Sequence, residues 1–283
     1  MKASQKPLGI VLWKGKSLID HKRIMVIATG VFENKSQNEK TGEMIQTYIL
    51  RRDINPMLAR RMGEDKSICS SCKHREYSTC YVNLCHGPIK IYEAYQDGRY
   101  RDYVDSDIEY FRDKSIRIGS YGDPSAAPFE IWENICKVAK SQTGYTHLYK
   151  TCDQRLKNYC MASVDSIKGY MNEFEEAQKM GWRTFRVRES YDNELRENEI
   201  ICPASKEKEV KTTCEKCNLC SGLSKSNSKN PVILLHGDPI KGNTTLVWRK
   251  HRYLALMKKI KNKKQWRRDY RAENKRFKEV CPF

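Results

Sequence analysis

The pattern of hydrophobic and polar positions changes along the chain, and the change falls near residue 115. Before that point, two apolar stretches at 23–32 and 44–51 flank a polar loop, which is typical of a β-hairpin. A short helix is expected at 56–61 and another at 89–95, where an Asp-Gly pair follows. The chain is therefore expected to begin with β-strands and to continue through short helices.

After residue 115, short apolar runs alternate with segments of helical period. The expected strands cover 115–120, 146–150, 159–164, 183–188, 200–202 and 232–235. The expected helices cover 129–140, 154–158, 168–180 and 194–198. Repeated strand–helix units are typical of a parallel sheet with helical crossovers.

These units predict the fold class α/β, as an irregular, TIM-like β/α barrel with N-terminal β-strands, two cysteine-rich metal loops and a basic C-terminal helix. The barrel is expected over residues 1–248, with the metal loops at 69–85 and 214–236 and the helical extension at 249–283. An open, doubly wound sheet is the alternative architecture. In either case the working face lies at the C-terminal ends of the strands.

Seven of the twelve cysteines fall into two short segments. The first segment holds Cys69, Cys72, Cys80 and Cys85. A disulfide framework is one interpretation of this group. No secretory signal opens the chain, however, and without one the Cys-x-x-Cys spacing indicates metal more strongly than disulfides. The first segment is therefore expected to bind a metal ion.

The second segment holds Cys214, Cys217 and Cys220, and His236 follows after fifteen further residues. Three thiolates and an imidazole form the Cys₃His set that structural zinc prefers. The same thiol spacing occurs in iron–sulfur ligand runs, so an iron–sulfur cluster is the alternative cofactor. The isolated cysteines are expected to be small buried hydrophobic residues. They are Cys136, Cys152, Cys160, Cys202 and Cys281.

Two aspartates come directly after expected strands. Asp123 follows the strand at 115–120 in a Gly-Asp-Pro turn, and Asp165 follows the strand at 159–164. A carboxylate pair at this edge can divide the roles of nucleophile and general acid or base. Each aspartate also precedes an expected helix, so the alternative is that both are helix N-caps.

The net charge of +18 is concentrated near the end of the chain. Residues 249–278, the basic segment, contain fourteen Lys or Arg against two acidic residues, with aromatic side chains between them. Basic charge releases counterions from phosphates and aromatic faces stack on bases, so a nucleic-acid partner is expected. A solvated amphipathic helix is the alternative. The expected contacts are Arg186, Arg188, Arg249, Lys250, Arg252, Lys258, Lys259, Arg267 and Arg268.

The sequence gives no indication of a membrane partner. No apolar run approaches the length of about 20 residues that a membrane-spanning helix needs. The basic segment also lacks the broad apolar face of a membrane-surface helix. With 39% hydrophobic and 31% charged residues, the protein is expected to be soluble and cytoplasmic.

Six short motifs together resemble a family of phage and plasmid proteins. They are Thr79-Cys-Tyr-Val-Asn83, Gly119-Ser-Tyr-Gly-Asp-Pro124, Thr143-Gly-Tyr-Thr-His147, Met161-Ala-Ser-Val-Asp165, Gly181-Trp-Arg-Thr-Phe-Arg-Val187 and Cys202-Pro-Ala-Ser205. The resemblance leaves out the N-terminal residues and the basic segment. It implies residence in the host cytoplasm if the protein is phage-encoded, and it makes DNA the favoured nucleic acid.

At a greater distance, the arrangement is similar to guanine transglycosylases that act on tRNA and to phage relatives that place 7-deazaguanines in DNA. Those enzymes are β/α barrels with a Cys₃His zinc site, and they use one Asp as nucleophile at the sugar C1′ and another as general acid or base. Carried over, the resemblance implies zinc on Cys214, Cys217, Cys220 and His236, and catalysis by Asp123 and Asp165. The expected function is a DNA-guanine transglycosylase, a pentosyltransferase that takes a guanine out of the base stack and replaces it by a preQ0-like base.

A second distant resemblance is to the radical enzymes that use S-adenosylmethionine, which are also β/α barrels. It rests on Cys69, Cys72 and the Cys80-Tyr81 pair, although that family's Cys-x3-Cys-x2-Cys spacing is not kept. It implies an iron–sulfur enzyme as the alternative function. The third hypothesis is a non-enzymatic zinc protein that binds nucleic acid through the basic segment.

Overall fold

A computed structural model of the chain describes residues 6–32, 36, 38–76, 79–166, 173–189, 194–205, 207–208, 210–223 and 229–235. His236, Cys281 and the basic segment, with the helix expected there, lie outside the described residues. Among the helices that are described, none combines the length and the apolar character needed to cross a bilayer.

The elements of the described residues are mostly short. The strands are β1 (Gly9–Lys16), β2 (Arg23–Thr29), β3 (Ile45–Arg51), β4 (Tyr100–Asp102), β5 (Ser115–Tyr121), β6 (Ser141–Thr143), β7 (Tyr145–Thr146), β8 (Met161–Ser166), β9 (Thr184–Arg188), β10 (Glu199–Ile201) and β11 (Asn230–Leu234). The helices are α1 (Pro56–Met62), α2 (Lys66–Cys69), α3 (Lys73–Glu76), α4 (Pro88–Gln96), α5 (Phe129–Val138), α6 (Glu173–Lys179) and α7 (Cys214–Cys217). Turns of 3₁₀ helix cover Asp105–Phe111, Pro124–Ala126 and Gln154–Asn158.

The N-terminal sheet combines an antiparallel half with a parallel half. Its strand order is β4-β1-β2-β3-β5-β6. Strands β1, β2 and β3 pair antiparallel, whereas β3 pairs with β5 and β5 with β6 in parallel. The hairpin expected from the sequence is thus confirmed as β2 and β3, while β1 and β4 extend it by two strands that the pattern did not indicate.

The second sheet is parallel throughout, in the order β10-β11-β9-β8-β7. Strand β6 ends at Thr143 and β7 begins at Tyr145, so Gly144 alone separates the two sheets along the chain. A Cβ atom at Gly144 would lie only 2.6 Å from the Cys160 sulfur, which is why glycine occupies this junction. Because the chain keeps its direction there, the parallel strands of both sheets present their C-terminal ends at one edge.

The α/β fold class, with parallel strands and helices, is confirmed. The described strands form two open sheets, and a closed barrel is not formed among them. Two expected elements are wrong. The strand expected at 146–150 lies earlier, at β6 and β7, and residues 194–198 form a loop and turn rather than a helix. The hydrophobic pattern did not predict strand β6, because this strand consists of buried polar residues. One of them, Ser141, donates a hydrogen bond to the Ser115 hydroxyl at 2.8 Å.

Two hydrophobic cores support the sheets. The main core covers both faces of β2, where residues 24–28 are fully buried, and it includes Trp132 of α5. Burial of one large apolar side chain contributes about 1.5–3 kcal/mol, so this core anchors the N-terminal sheet. A smaller core lies on the second sheet and contains Met161, Phe185, Val187, Cys202, Cys220 and Ile233.

Candidate functional site

Three cysteines of the first segment converge at the C-terminal edge of the strands. Cys69 ends α2, and a turn in which the Cys72 amide donates to the Cys69 carbonyl leads into α3. The amides of Thr79 and Cys80 then donate to the carbonyl of His74, which folds the loop back onto α3. Burial raises the pKa of the Cys69 thiol, and the neighbouring Cys72 and Cys80 raise it further.

The fourth cysteine of the segment, Cys85, lies in the turn that precedes α4 and is half-buried. Its amide donates to the Asn83 side chain at 3.0 Å. All eleven cysteines in the described residues carry free thiols, so the disulfide interpretation is not supported there. The group that the structure brings together is therefore Cys69, Cys72 and Cys80.

A histidine–carboxylate cluster adjoins these thiols. His74 Nε2 lies 2.9 Å from Asp165 Oδ1, and His74 Nδ1 lies 2.8 Å from the Thr79 hydroxyl. His147 Nε2 is 3.8 Å from the Cys72 sulfur. One ligand atom from each of His74, His147 and Asp165 lies within 4.8 Å of the others, so these three side chains could hold a metal ion.

Asp165, one of the two expected catalytic carboxylates, is buried beside His74. Its side chain is 1% exposed, and its Oδ2 has no hydrogen-bond partner among the described residues. Burial alone would raise the pKa of Asp165, but the adjoining His74 lowers it below its usual range. Asp165 is therefore an ionised carboxylate with one oxygen available.

Asp123, in contrast, accepts four hydrogen bonds with its carboxylate. Oδ1 accepts hydrogen bonds from the Ser125 amide, the Ser125 hydroxyl and the Thr146 hydroxyl, at 3.0, 2.7 and 2.7 Å. Oδ2 accepts from the His147 amide at 2.8 Å. The Asp123 amide also donates to the carbonyl of Ile68 at 2.6 Å. Asp123 thus acts as the helix cap that was its alternative interpretation, and it positions both His147 and the end of α2.

The second cysteine segment is fastened to the N-terminal hairpin. Thr213 caps α7, and Asn218 ends it in the left-handed conformation at φ 51°. The Cys214 amide donates to the Lys40 carbonyl at 2.8 Å. The Cys220 carbonyl accepts from the amide of Gly144, the residue between β6 and β7. These contacts place the second segment against the junction of the two sheets.

A cavity of about 700 Å³ is lined by residues of both cysteine segments. The first segment contributes Tyr81, which directly follows Cys80, and the second contributes its three thiols. Arg117 lines the cavity too, with its guanidinium carbon 5.9 Å from the centre of the Tyr145 ring. The buried hydroxyl of Thr143, also in the wall, has no hydrogen-bond partner among the described residues. The cavity therefore offers aromatic, cationic and hydrogen-bonding groups to a ligand.

The two strand arginines that were expected to contact nucleic acid are buried instead. Arg186 is fully buried and forms a two-pronged ion pair with Glu199, at 2.6 and 2.5 Å. Arg188 is 5% exposed and pairs with Glu207 at 2.7 Å. Arg186 and Arg188 lie on a strand, β9, as the sequence predicted. Their side chains, however, form ion pairs inside the second sheet. The other seven expected contacts belong to the basic segment and lie outside the described residues.

Sequence reasoning missed two residues of this site, His147 and Cys202. His147 directly follows β7, and Asp123 follows β5 after one intervening glycine, so the strand-end rule could have found His147 too. Cys202 directly follows β10 and lines the cavity with the second segment, although the sequence indicated an isolated hydrophobic residue.

No family model, curated protein or solved structure matches this chain. The fold and the site define an α/β protein in which two groups of thiols, a histidine–carboxylate cluster and a cavity share the C-terminal edge of a parallel sheet. Its function has to be inferred from that chemistry.

Proposed function

We propose that the chain is an iron–sulfur enzyme of the kind that uses S-adenosylmethionine, with its cluster on Cys69, Cys72 and Cys80. The observation that carries this proposal is the convergence of three free thiols at the edge of the parallel strands, beside a cavity. Three thiolates leave one metal position open, as a catalytic rather than a purely structural site requires. Enzymes with parallel sheets bind their substrates at this edge.

The spacing of the thiols supports an iron–sulfur cluster over a single zinc ion. Four ligands at about 2.3 Å from a tetrahedral zinc ion lie about 3.8 Å from one another. Within the described residues, His74, His147 and Asp165 form the one group of three or more such side chains whose ligand atoms all lie within 4.8 Å of one another. The cysteine sulfurs are thus near enough to affect each other's pKa, yet more widely spread than one zinc ion requires. In a cluster each thiolate can bind a different iron, which suits this spread.

The residues around the thiols have distinct roles in this proposal. Bound iron–sulfur clusters supply single electrons, the chemistry that starts radical reactions from S-adenosylmethionine. Asp123 holds the loop ends through its amide and carboxylate, and His74 keeps Asp165 ionised beside the thiols. Arg117 provides positive charge for a carboxylate or phosphate in the cavity, and Tyr81 provides a face for stacking.

The metal content of the protein tests the proposal directly. Protein purified without oxygen is expected to be brown, to absorb visible light and to contain iron and acid-labile sulfide in equal amounts. Zinc is expected only in traces. A colourless preparation with about one zinc per chain and no iron would exclude the iron–sulfur proposal and favour the zinc site of the transglycosylase resemblance.

Base exchange on DNA is the second candidate, and the state of Asp165 favours it. Attack on a sugar C1′ requires an ionised carboxylate with an oxygen that makes no other bond. His74 lowers the pKa of Asp165 and its Oδ2 has no partner among the described residues, but the side chain is 1% exposed and would have to be uncovered for a sugar to reach it. Asp123 is not a partner in this version, because four donors from Ser125, Thr146 and His147 already hold its carboxylate in a structural role.

This candidate makes its own prediction. Wild-type protein is expected to exchange labelled guanine into DNA and to form a trappable covalent adduct, and Asp165→Asn is expected to do neither. The matched control is Asp113→Asn, because Asp113 is exposed and its left-handed backbone tolerates Asn. Exchange that survives in Asp165→Asn would remove Asp165 from the role of nucleophile.

A further inference from the structure

We infer that Cys202 joins Cys214, Cys217 and Cys220 as the fourth thiolate of a second iron–sulfur centre, so that His236 is not needed to complete the set. The inference concerns thiols that line the cavity, a group distinct from Cys69, Cys72 and Cys80, and it holds whether or not that first group binds a cluster.

The fold fixes Cys202 at the edge where the other three thiols lie. Its amide donates to the carbonyl of Val232 on β11 at 2.9 Å. Its carbonyl accepts from both the amide and the hydroxyl of Ser205, at 2.9 and 2.7 Å. Cys202 therefore has a rigid backbone at the C-terminal end of β10, held by a neighbouring strand and by its own turn.

The other three thiols reach the same place from a different part of the chain. Cys214 and Cys217 bracket the single turn of α7, and the left-handed Asn218 redirects the chain so that Cys220 becomes buried. All four cysteines line the same cavity. Cys202 and Cys220 also belong to the same small core, together with Phe185 and Ile233.

The charges around the four thiols suit an anionic centre. Burial raises the pKa of Cys202, and Cys214 and Cys217 raise it further, which shows how near the thiols are to one another. Lys40 acts on Cys202 in the opposite direction, and Arg183 lies near Cys220. Four thiolates around iron and sulfide carry net negative charge, which these two cations offset.

The chemistry of this second centre differs from that of the first. Four protein thiolates leave no metal position open, so the centre would not bind substrate through iron. It would hold the second segment in place or pass single electrons to and from the cavity. Its sulfurs are not among the ligand atoms within 4.8 Å of one another in the described residues, which favours a cluster over a single zinc ion here too.

Protection of the thiols in the intact wild-type protein tests this inference without any substitution. Native protein is alkylated before and after removal of the clusters by oxidation and chelation, and each cysteine is then quantified by peptide mass spectrometry. Cys202 is expected to become reactive together with Cys214, Cys217 and Cys220. Cys136, which is buried in α5, serves as the control and is expected to change little. Unchanged reactivity of Cys202 while the other three change would overturn the inference.

Iron content in variants provides the second measurement. Cys69, Cys72 and Cys80 are first all replaced by Ser, so that any remaining iron belongs to the second centre. Adding Cys202→Ser is expected to remove that iron as fully as adding Cys220→Ser does, while adding His236→Asn leaves it in place. Retained iron in Cys202→Ser, loss in His236→Asn, or zinc instead of iron in the background variant would each overturn the inference. If the background variant contains as much iron as the wild-type protein, the first site alone is refuted.

Discussion

Replacing Cys72 by Ser is expected to remove about half of the iron and to abolish the reductive cleavage of S-adenosylmethionine. Cys72 has the central position in its group, since its charge affects both Cys69 and Cys80 and its sulfur lies 3.8 Å from His147. A serine hydroxyl is nearly the same size but stays protonated, so it cannot replace a thiolate ligand. Because Cys72 is only half-buried, the fold is expected to survive.

The measurement is iron and sulfide per chain, together with the 5′-deoxyadenosine formed under reducing conditions without oxygen. The control is Cys152→Ser, since Cys152 is half-buried like Cys72 but lies outside both thiol groups. Cys85→Ser is expected to retain iron, because three thiolates suffice and the open position is required for the reaction. Full iron and full cleavage activity in Cys72→Ser would contradict the proposed site.

Replacing Asp123 by Ala is expected to lower the free energy of unfolding by about 4 kcal/mol, chiefly because several buried donors lose their acceptor. The Ser125 and His147 amides and the Ser125 and Thr146 hydroxyls all donate to this one carboxylate. Denaturation with urea, followed by circular dichroism on metal-free protein, measures the loss without interference from bound clusters.

A second capping aspartate, which lies on the surface, serves as the control. It shows how much free energy of unfolding is lost when an ordinary aspartate cap is removed. Asp153 caps the turn Gln154–Asn158 through its bond to the Arg155 amide, but its side chain is 33% exposed. Asp153→Ala is therefore expected to cost only about 1 kcal/mol. Equal stability of the two alanine variants would mean that Asp123 is free for catalysis, as the transglycosylase resemblance implied.

The strands and helices that depend on apolar residues could be predicted from the sequence. Strands β2, β3, β5, β8, β9, β10 and β11 and helices α4 and α5 lie close to their expected positions. Strand β6 could not be predicted, because Ser141, Gln142 and Thr143 form a buried strand without any apolar residue. Its burial is compensated by hydrogen bonds to partners far away in the sequence, such as the bond from Gln142 to the Ser221 carbonyl.

The site was only partly predictable, for a similar reason. Local spacing identified both cysteine segments, because the residues of each lie close together in the sequence. Cys202 enters the site through strand pairing, and no local pattern marks it, whereas His147 directly follows β7 and could have been found as a strand-end residue. Arg186 was misjudged because its partner, Glu199, lies on a strand that is its neighbour only through β11. Tertiary partners decide whether a strand arginine faces solvent or an internal carboxylate.

The attachment of the second cysteine segment to the hairpin has a consequence for synthesis of the protein. The Glu43 amide donates to the Glu215 carboxylate, 172 positions further along the chain. At the usual pace of a ribosome, roughly 10–35 seconds separate the two residues. During that interval the loop before β3 lacks its contacts with the second cysteine segment, whereas β5, which begins at Ser115, emerges early enough to pair with β3. Attachment of the second segment to the hairpin is thus a late step, which can only follow synthesis of the strands that complete the N-terminal sheet.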